Sequence, residues 1–168
     1  MSPVRRAALL LLAVLLVGCG YSLRSTLPPH IKTVAIPVLT NRTPEPGIED
    51  LITQALIDAM VSSGRMRVVR PEQADALLEG EVIGYAVDAL AFDRAANVTE
   101  YRLRIALKLT LRDLRQNTIL WQEERVEEKA DFRVPGQVTE ALVREDQALR
   151  RAAVDIARAV IGLAVEGF

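Results

Sequence analysis

The chain has 168 residues, of which 21 are basic, 22 are acidic, one is histidine and one is cysteine, and only 4% are aromatic. The near-neutral charge excludes a general nucleic-acid binder, and the few aromatic residues exclude a stacking platform for bases or sugars. One cysteine and one histidine also exclude a Cys/His zinc cluster and an intramolecular disulfide.

Residues 1–18 have the pattern of a cleaved secretory signal peptide. Arg5 and Arg6 precede an apolar run over 7–17 that is shorter than the roughly 20 residues of a membrane-spanning helix. The end of the run, Leu-Val-Gly-Cys, resembles the lipobox of bacterial lipoproteins. This resemblance implies cleavage before Cys19 and attachment of acyl chains such as palmitate to that cysteine, which is the lipidation site. Gly20 takes the place of an aspartate that retains lipoproteins at the inner membrane, which favours the outer membrane.

The mature chain is expected to contain a tether and one domain. Residues 19–30 form the lipidated tether, because Pro28 and Pro29 disfavour helix there. Residues 31–168 form a single domain. The segment 31–39 is apolar and β-branched and predicts a strand, which stops or lies at an edge near Pro37 because proline cannot donate a ladder hydrogen bond.

A helix is predicted over 48–63, where apolar residues recur every three or four positions. Gly64 is a plausible terminator, and 66–69 is a short strand. Strand, helix and strand in this order predict a parallel strand pair. Next comes an extended segment, 76–92, which is either one bent strand or two.

The second half of the chain predicts an antiparallel hairpin and a final helix. Residues 100–112 alternate strictly between apolar and polar, which is typical of a strand with one buried face. Gln116 and Asn117 separate it from a strand over 119–129, and 139–166 has a helical apolar stripe. The whole order predicts an α+β fold: a two-layer sandwich in which both helices pack on one face of a mixed four- to five-stranded sheet.

No catalytic constellation is present in the sequence. The single histidine, His30, lies in the tether, which is a poor place for a residue that must be held beside a nucleophile. No glycine-rich phosphate loop and no metal-ligand spacing occur. We therefore expect a protein that is not an enzyme and that needs no cofactor.

One row of basic residues is the only candidate ligand site. Arg102, Arg104, Lys108 and Arg112 would project from the sheet face away from the helices. Two interpretations stay open. In one, acidic residues of the next strand (Glu123, Glu124, Glu127 and Glu128) neutralise the row. In the other, the row binds an anionic partner such as a lipid phosphate.

Several short motifs, in order along the mature chain, resemble the lipopolysaccharide-assembly lipoprotein family (LptE-like). They are Cys19–Arg24 (CGYSLR), Lys32–Pro37 (KTVAIP), the Asn41-Arg42-Thr43 loop, Ala74–Ala76 leading into Glu79–Glu81, Tyr101–Leu103, and Leu120-Trp121. The resemblance covers the mature chain and implies a fold like the one predicted above.

The resemblance also implies a role at the cell outer membrane. Family members sit as plug and assembly partner inside a β-barrel translocon (LptD-like) that delivers lipopolysaccharide to the cell surface, and they bind lipopolysaccharide through basic residues. The basic row is not aligned with those family positions, so its role stays a hypothesis from charge. The alternatives are an accessory lipoprotein of a lipid-transport ATPase system and a periplasmic scaffold without a lipid ligand.

Overall fold

The computed structural model describes residues 27–134 and 138–166. The signal peptide and Cys19 lie outside the described residues. The elements are β1 (Thr33–Ala35), β2 (Thr40–Asn41), α1 (Ile48–Ser63), β3 (Arg67–Val68), β4 (Ala76–Phe92), β5 (Val98–Asp113), β6 (Thr118–Arg133) and α2 (Val138–Glu166). A single 3₁₀ turn, Pro71–Gln73, connects β3 to β4.

The strands form one mixed sheet in the order β3-β1-β4-β5-β6, with β2 paired to β4. β1 is parallel to both β3 and β4, and β5 is antiparallel to both of its neighbours, β4 and β6. The predicted α+β sandwich, the parallel pair and the antiparallel hairpin are confirmed. The segment 76–92 is one strand.

The strand predicted over 31–39 is only three residues long, and a second short strand, β2, follows at Thr40–Asn41, which raises the strand number to six. β1 ends at Ala35, two residues before Pro37, which has no N–H to donate. The chain then continues to β2, which pairs further along β4, at Glu81 and Val82. Proline therefore explains why the apolar run is interrupted.

α1 ends where the sequence predicts. Gly64 caps it in the left-handed region (φ 64°), and its N–H donates to the carbonyl of Val61. Its apolar side faces the sheet, with Ile48, Ile52, Leu56 and Met60 buried. Thr53 links the helix to the preceding loop by hydrogen bonds. Its hydroxyl donates to the carbonyl oxygen of Glu49 and accepts a hydrogen bond from the N–H of Leu39.

The β4–β5 pair is the longest in the molecule and contains a close backbone approach. Gly80 lies opposite Leu109, and a Cβ at position 80 would collide with the carbonyl oxygen of Lys108 and stand 2.7 Å from Leu109 Cδ2. The register shifts between Val82 and Gly84, which is the bulge that the glycines suggest.

One core lies between the sheet and the helices. The alternate residues of β5 from Leu103 to Leu111 are fully buried and face this core. α2 contributes mostly small side chains: Ala148, Ala152, Ala153, Ala157 and Ala164, with Ile156 and Val160. The side of the sheet that faces away from the helices is called the open face. The end of the sandwich that contains the β5–β6 turn is called the tether end. The β4–β5 turn, Asp93–Asn97, is called the hairpin tip.

The tether end is held by two carboxylates. Asp75 accepts hydrogen bonds from the N–H groups of Lys32 and Thr33 and from the Thr33 hydroxyl, and Arg115 donates to its other oxygen. These donors, the Lys32 N–H foremost, lower the pKa of Asp75 to about 2 although burial opposes them.

Asp113, whose side chain is fully buried, holds the segment that enters the domain. Its Oδ2 lies 2.7 Å from His30 Nε2, and its Oδ1 accepts the N–H groups of Arg115 and Gln116. Burial raises the pKa of Asp113, but hydrogen bonds from Gln116, His30 and Arg115 hold it below its ordinary value. Leu27 also packs against the core, so residues 27–30 contact the domain.

Candidate functional site on the open face of the sheet

The basic row lies on β5, near the middle of the sheet. The apolar neighbours of these residues point into the core, so strand alternation directs the basic side chains to the open face. Arg102, Arg104, Lys108 and Arg112 therefore share one face, as the sequence predicts. Their side chains are 35–43% exposed.

Each member of the row has an acidic partner on a neighbouring strand. Arg102 makes two hydrogen bonds of 2.7 Å to Asp131. The remaining contacts are Arg104 to Asp88 at 2.7 Å, Lys108 to Glu124 at 2.7 Å, and Arg112 to Glu79 at 3.4 Å. An anionic ligand would therefore compete with carboxylates that already occupy the row.

The pairing changes the proton affinity of the groups involved. The hydrogen bond to Asp131 raises the pKa of Arg102, and the hydrogen bond to Glu124 raises the pKa of Lys108. The reciprocal effect lowers the pKa of Asp131 and of Glu124. At neutral pH the pairs Arg102–Asp131 and Lys108–Glu124 are thus fully charged.

The sequence identified one of the observed partners, Glu124. The other partners are Asp131 on the same strand and Asp88 and Glu79 on β4, and the reason is topological. Asp131 lies directly opposite Arg102. On the other side of β5, Asp88 and Glu79 of β4 lie two positions from the residues opposite Arg104 and Arg112, and Glu124 follows the register shift between Leu107 and Leu109. The acidic residues of β4 were the signal that could have found them.

Two hollows adjoin the row. One of about 370 Å³ lies where β1 and β2 meet β4, lined by Val38, Thr40, Glu81, Lys108 and Thr110 among others. A smaller one of about 150 Å³ lies beside Arg104 and Arg125. Each hollow contains a basic side chain of the row, so both could receive a polar group of a ligand.

Exposed apolar side chains gather at the end of the sandwich that bears the hairpin tip, which the sequence did not indicate. Phe92 and Leu90 of β4 are 60% and 41% exposed, and Leu142 and Val143 of α2 are 66% and 58% exposed. Exposed apolar residues that cluster mark contact sites for a partner or a lipid.

Two further properties concern chemistry and membrane crossing. Within residues 27–134 and 138–166, no group of three or more histidine, cysteine, aspartate or glutamate side chains could hold a metal ion. No helix in the same part of the chain combines the length and the apolar character that crossing a bilayer needs.

A family model described as "LptE: Lipopolysaccharide-assembly" matches residues 31–161, which is most of the chain. The chain belongs to the LptE family. The match begins two residues before β1 and extends through the sheet into α2. LptE-family membership establishes the resemblance that the short motifs indicated.

Solved lipoproteins share the fold of this LptE-family chain at low sequence identity. Lipoprotein B from Nitrosomonas europaea aligns with a TM-score of 0.59 and 16% identity, over 88% of this chain and 92% of that one. A minor lipoprotein from Acinetobacter baumannii aligns with a TM-score of 0.57 and 16% identity, over 83% of this chain and 95% of that one. Rare lipoprotein B from Shewanella oneidensis aligns with a TM-score of 0.56 and 11% identity, over 81% of this chain and 96% of that one. No curated protein matches the sequence.

Proposed function

We propose that the chain is an outer-membrane lipoprotein that assembles with, and plugs, the β-barrel translocon delivering lipopolysaccharide to the cell surface. The observation that carries the proposal is the family match over residues 31–161. Cys19 would bear the acyl chains on the periplasmic side of the outer membrane. The role is one of assembly and binding, without catalysis.

The dimensions of the sheet support the plug. β5 has 16 residues, so the hairpin that it forms with β4 is roughly 50 Å long at about 3.3 Å per residue. A bilayer with its headgroups is about 40–45 Å thick. A domain of this length can run along a barrel axis, and its charged open face is suited to a polar lumen.

The apolar residues at the end with the hairpin tip support a partner contact. Leu90, Phe92, Leu142 and Val143 remain exposed in the isolated chain. Burying them against a barrel wall or a loop would gain about 25 cal/mol per Å² of apolar area. We therefore place an assembly contact at this end, away from the tether end.

The basic row is proposed to bind lipopolysaccharide phosphates. Arginine and lysine bind phosphate more strongly than they bind a solvated carboxylate when several of them converge on one anion. Arg102 and Arg104 are two residues apart on one face, so one phosphorylated headgroup can reach both. Binding would require the ligand to displace Asp131 and Asp88.

Reversing Arg102 and Arg104 to glutamate should weaken lipopolysaccharide binding roughly tenfold, because two favourable charges near the phosphates become unfavourable. The substitutions Asp88→Asn and Asp131→Asn remove the charged partners of the same two arginines and should therefore strengthen lipopolysaccharide binding. Both effects are measured with purified full-length protein and immobilised lipopolysaccharide.

A matched control is available on α2. Arg150 and Arg158 are exposed and each pairs with an acid of the same helix, so their reversal to glutamate changes the net charge equally. The control should bind like the unaltered protein. Equal affinity of all variants would remove the basic row as the site.

Recovery of partners from native membranes tests the assembly itself. A stoichiometric β-barrel supports the translocon proposal. Inner-membrane transporter subunits would identify an accessory lipoprotein of a lipid-transport ATPase system, and recovery of neither would identify a scaffold.

A further inference from the structure

The tether end has a charge distribution unlike that of the whole chain. Three segments compose it: 27–33, 64–75 and 113–118. Their exposed charged side chains are five basic residues and one acid: Lys32, Arg65, Arg67, Arg70 and Arg115, and Glu72. The two other acids, Asp75 and Asp113, are buried and used in the hydrogen bonds that hold this end together. The chain as a whole carries a net charge of −1.

Several of these basic side chains are available to an external anion. Within residues 27–134 and 138–166, Lys32, Arg67 and Arg70 have no ion pair with an acid. Arg115 shares Asp75 but its side chain is 63% exposed. This contrasts with the basic row on β5, where each member has a carboxylate partner.

The same end carries exposed apolar residues beside the charges. Leu114 and Ile119, on either side of the β5–β6 turn, are 39% and 52% exposed. Basic residues mixed with exposed aliphatic side chains are typical of surfaces that lie in the headgroup region of a membrane.

The covalent chain fixes which end lies near the membrane. Seven residues, and so eight Cα–Cα steps, separate Cys19 from Leu27, which packs on the domain. At about 3.3–3.6 Å per residue they span at most roughly 26–29 Å. An anchor at Cys19 therefore keeps the tether end within this distance of the bilayer, whereas the hairpin tip, at the far end of a longer sheet, can lie farther away.

We propose that Lys32, Arg67, Arg70 and Arg115 form a membrane-contact surface that binds anionic phospholipid headgroups next to the lipid anchor. The inference rests on the anchor at Cys19 proposed above. It adds a second attachment, which orients the domain with its hairpin tip away from the membrane surface that holds the anchor. Each basic side chain at an anionic surface favours the bound state roughly fivefold.

The test uses the mature lipidated protein in vesicles and a single fluorescent donor. Because Cys19 is the only cysteine and its sulfur is acylated, a cysteine introduced at Gln116 is a unique labelling site. Energy transfer to a lipid-borne acceptor is compared between neutral phosphatidylcholine vesicles and vesicles with about 30% phosphatidylglycerol. A donor at Ala95 in the hairpin tip is the distant reference.

We expect transfer from position 116 to rise at least about twofold in the anionic vesicles and to return to the neutral value at about 0.5 M salt, which screens such contacts. The variant K32Q/R67Q/R70Q should abolish the rise. The control R144Q/R151Q/R158Q, which removes three exposed arginines of α2, should keep it. Two results would overturn the proposal. One is energy transfer that is equal in neutral and anionic vesicles, and the other is a rise in anionic vesicles that persists in K32Q/R67Q/R70Q.

The same samples separate failure of the anchor from failure of the surface. A protein with its acyl chains floats with neutral vesicles whatever the state of the basic side chains. If it does not float, the anchor at Cys19 is wrong, and the contact surface that depends on it is overturned too. If the protein floats but energy transfer is the same in neutral and anionic vesicles, only the proposed contact surface is wrong.

Discussion

Replacing Gly80 with alanine is expected to destabilise the domain by roughly 3 kcal/mol or more, at the upper end of overpacking effects. The added methyl group would collide with the backbone carbonyl of Lys108 and press on the Leu109 side chain, 2.7 Å away. Neither can move aside easily, since both belong to β5, which is paired with a strand on each side. The urea midpoint of the purified domain reports the loss.

Gly84→Ala is the matched control for this change. The new methyl group would meet the Cβ of Ala106 at 3.2 Å and its backbone nitrogen at 3.9 Å, next to a bulge that can adjust. We expect a cost below about 1 kcal/mol. If both alanine variants unfold at the same urea concentration, the close approach of β4 to β5 at Gly80 is wrong.

Asp75→Ala is expected to lower the melting temperature by roughly 5–10 °C. The change leaves the N–H groups of Lys32 and Thr33 and the Thr33 hydroxyl without their acceptor, and it removes the partner of Arg115. These contacts join β1 to the start of β4 and to the β5–β6 turn. Asp58→Ala, an exposed position on α1, should leave the melting temperature nearly unchanged.

The pH dependence of stability gives the same residue an independent readout. The folded-state pKa of Asp75 is about 2, below the ordinary value near 3.9 that applies in the unfolded chain. Its contribution is therefore present above about pH 4 and is lost as the pH falls towards 2. Asp75→Ala should flatten this loss, while the other carboxylates with lowered pKa values keep part of it. An identical acid profile in both proteins would contradict the assignment.

The sequence predicts those parts of the fold that depend on local periodicity. β5 alternates strictly, and α1 repeats its apolar residues until Gly64, so both elements lie where the pattern puts them. Pattern alone does not reveal that β1 ends at Ala35 and that β2 forms only at Thr40–Asn41, because this depends on which part of β4 each segment can pair with.

The contacts that fix the tether end were beyond sequence reasoning. Asp75 and Asp113 lie just before the predicted extended segment 76–92 and just after the predicted strand 100–112, and their partners are about 40 and 83 residues away. His30 was predicted to lie in a tether, yet its imidazole contacts a buried carboxylate. Leu142 belongs to the predicted stripe of the last helix but is exposed, because alanines make the close contact with the sheet.

The candidate site was predicted in position but not in electrostatic state. Alternation along β5 places Arg102, Arg104, Lys108 and Arg112 on one face. Their partners depend on strand order and on a register shift, which a single sequence does not specify. The basic residues at the tether end come from three separate segments, so only the fold brings them together.

The most direct test of the central proposal is affinity purification of the tagged, lipidated protein from native membranes in mild detergent, with partners identified and quantified by mass spectrometry. We expect a large outer-membrane β-barrel protein to co-purify in an amount nearly equal to that of the tagged protein. It should be retained through a wash at high salt, because a plug is enclosed by its partner. Recovery of the protein without any such barrel would contradict the proposal.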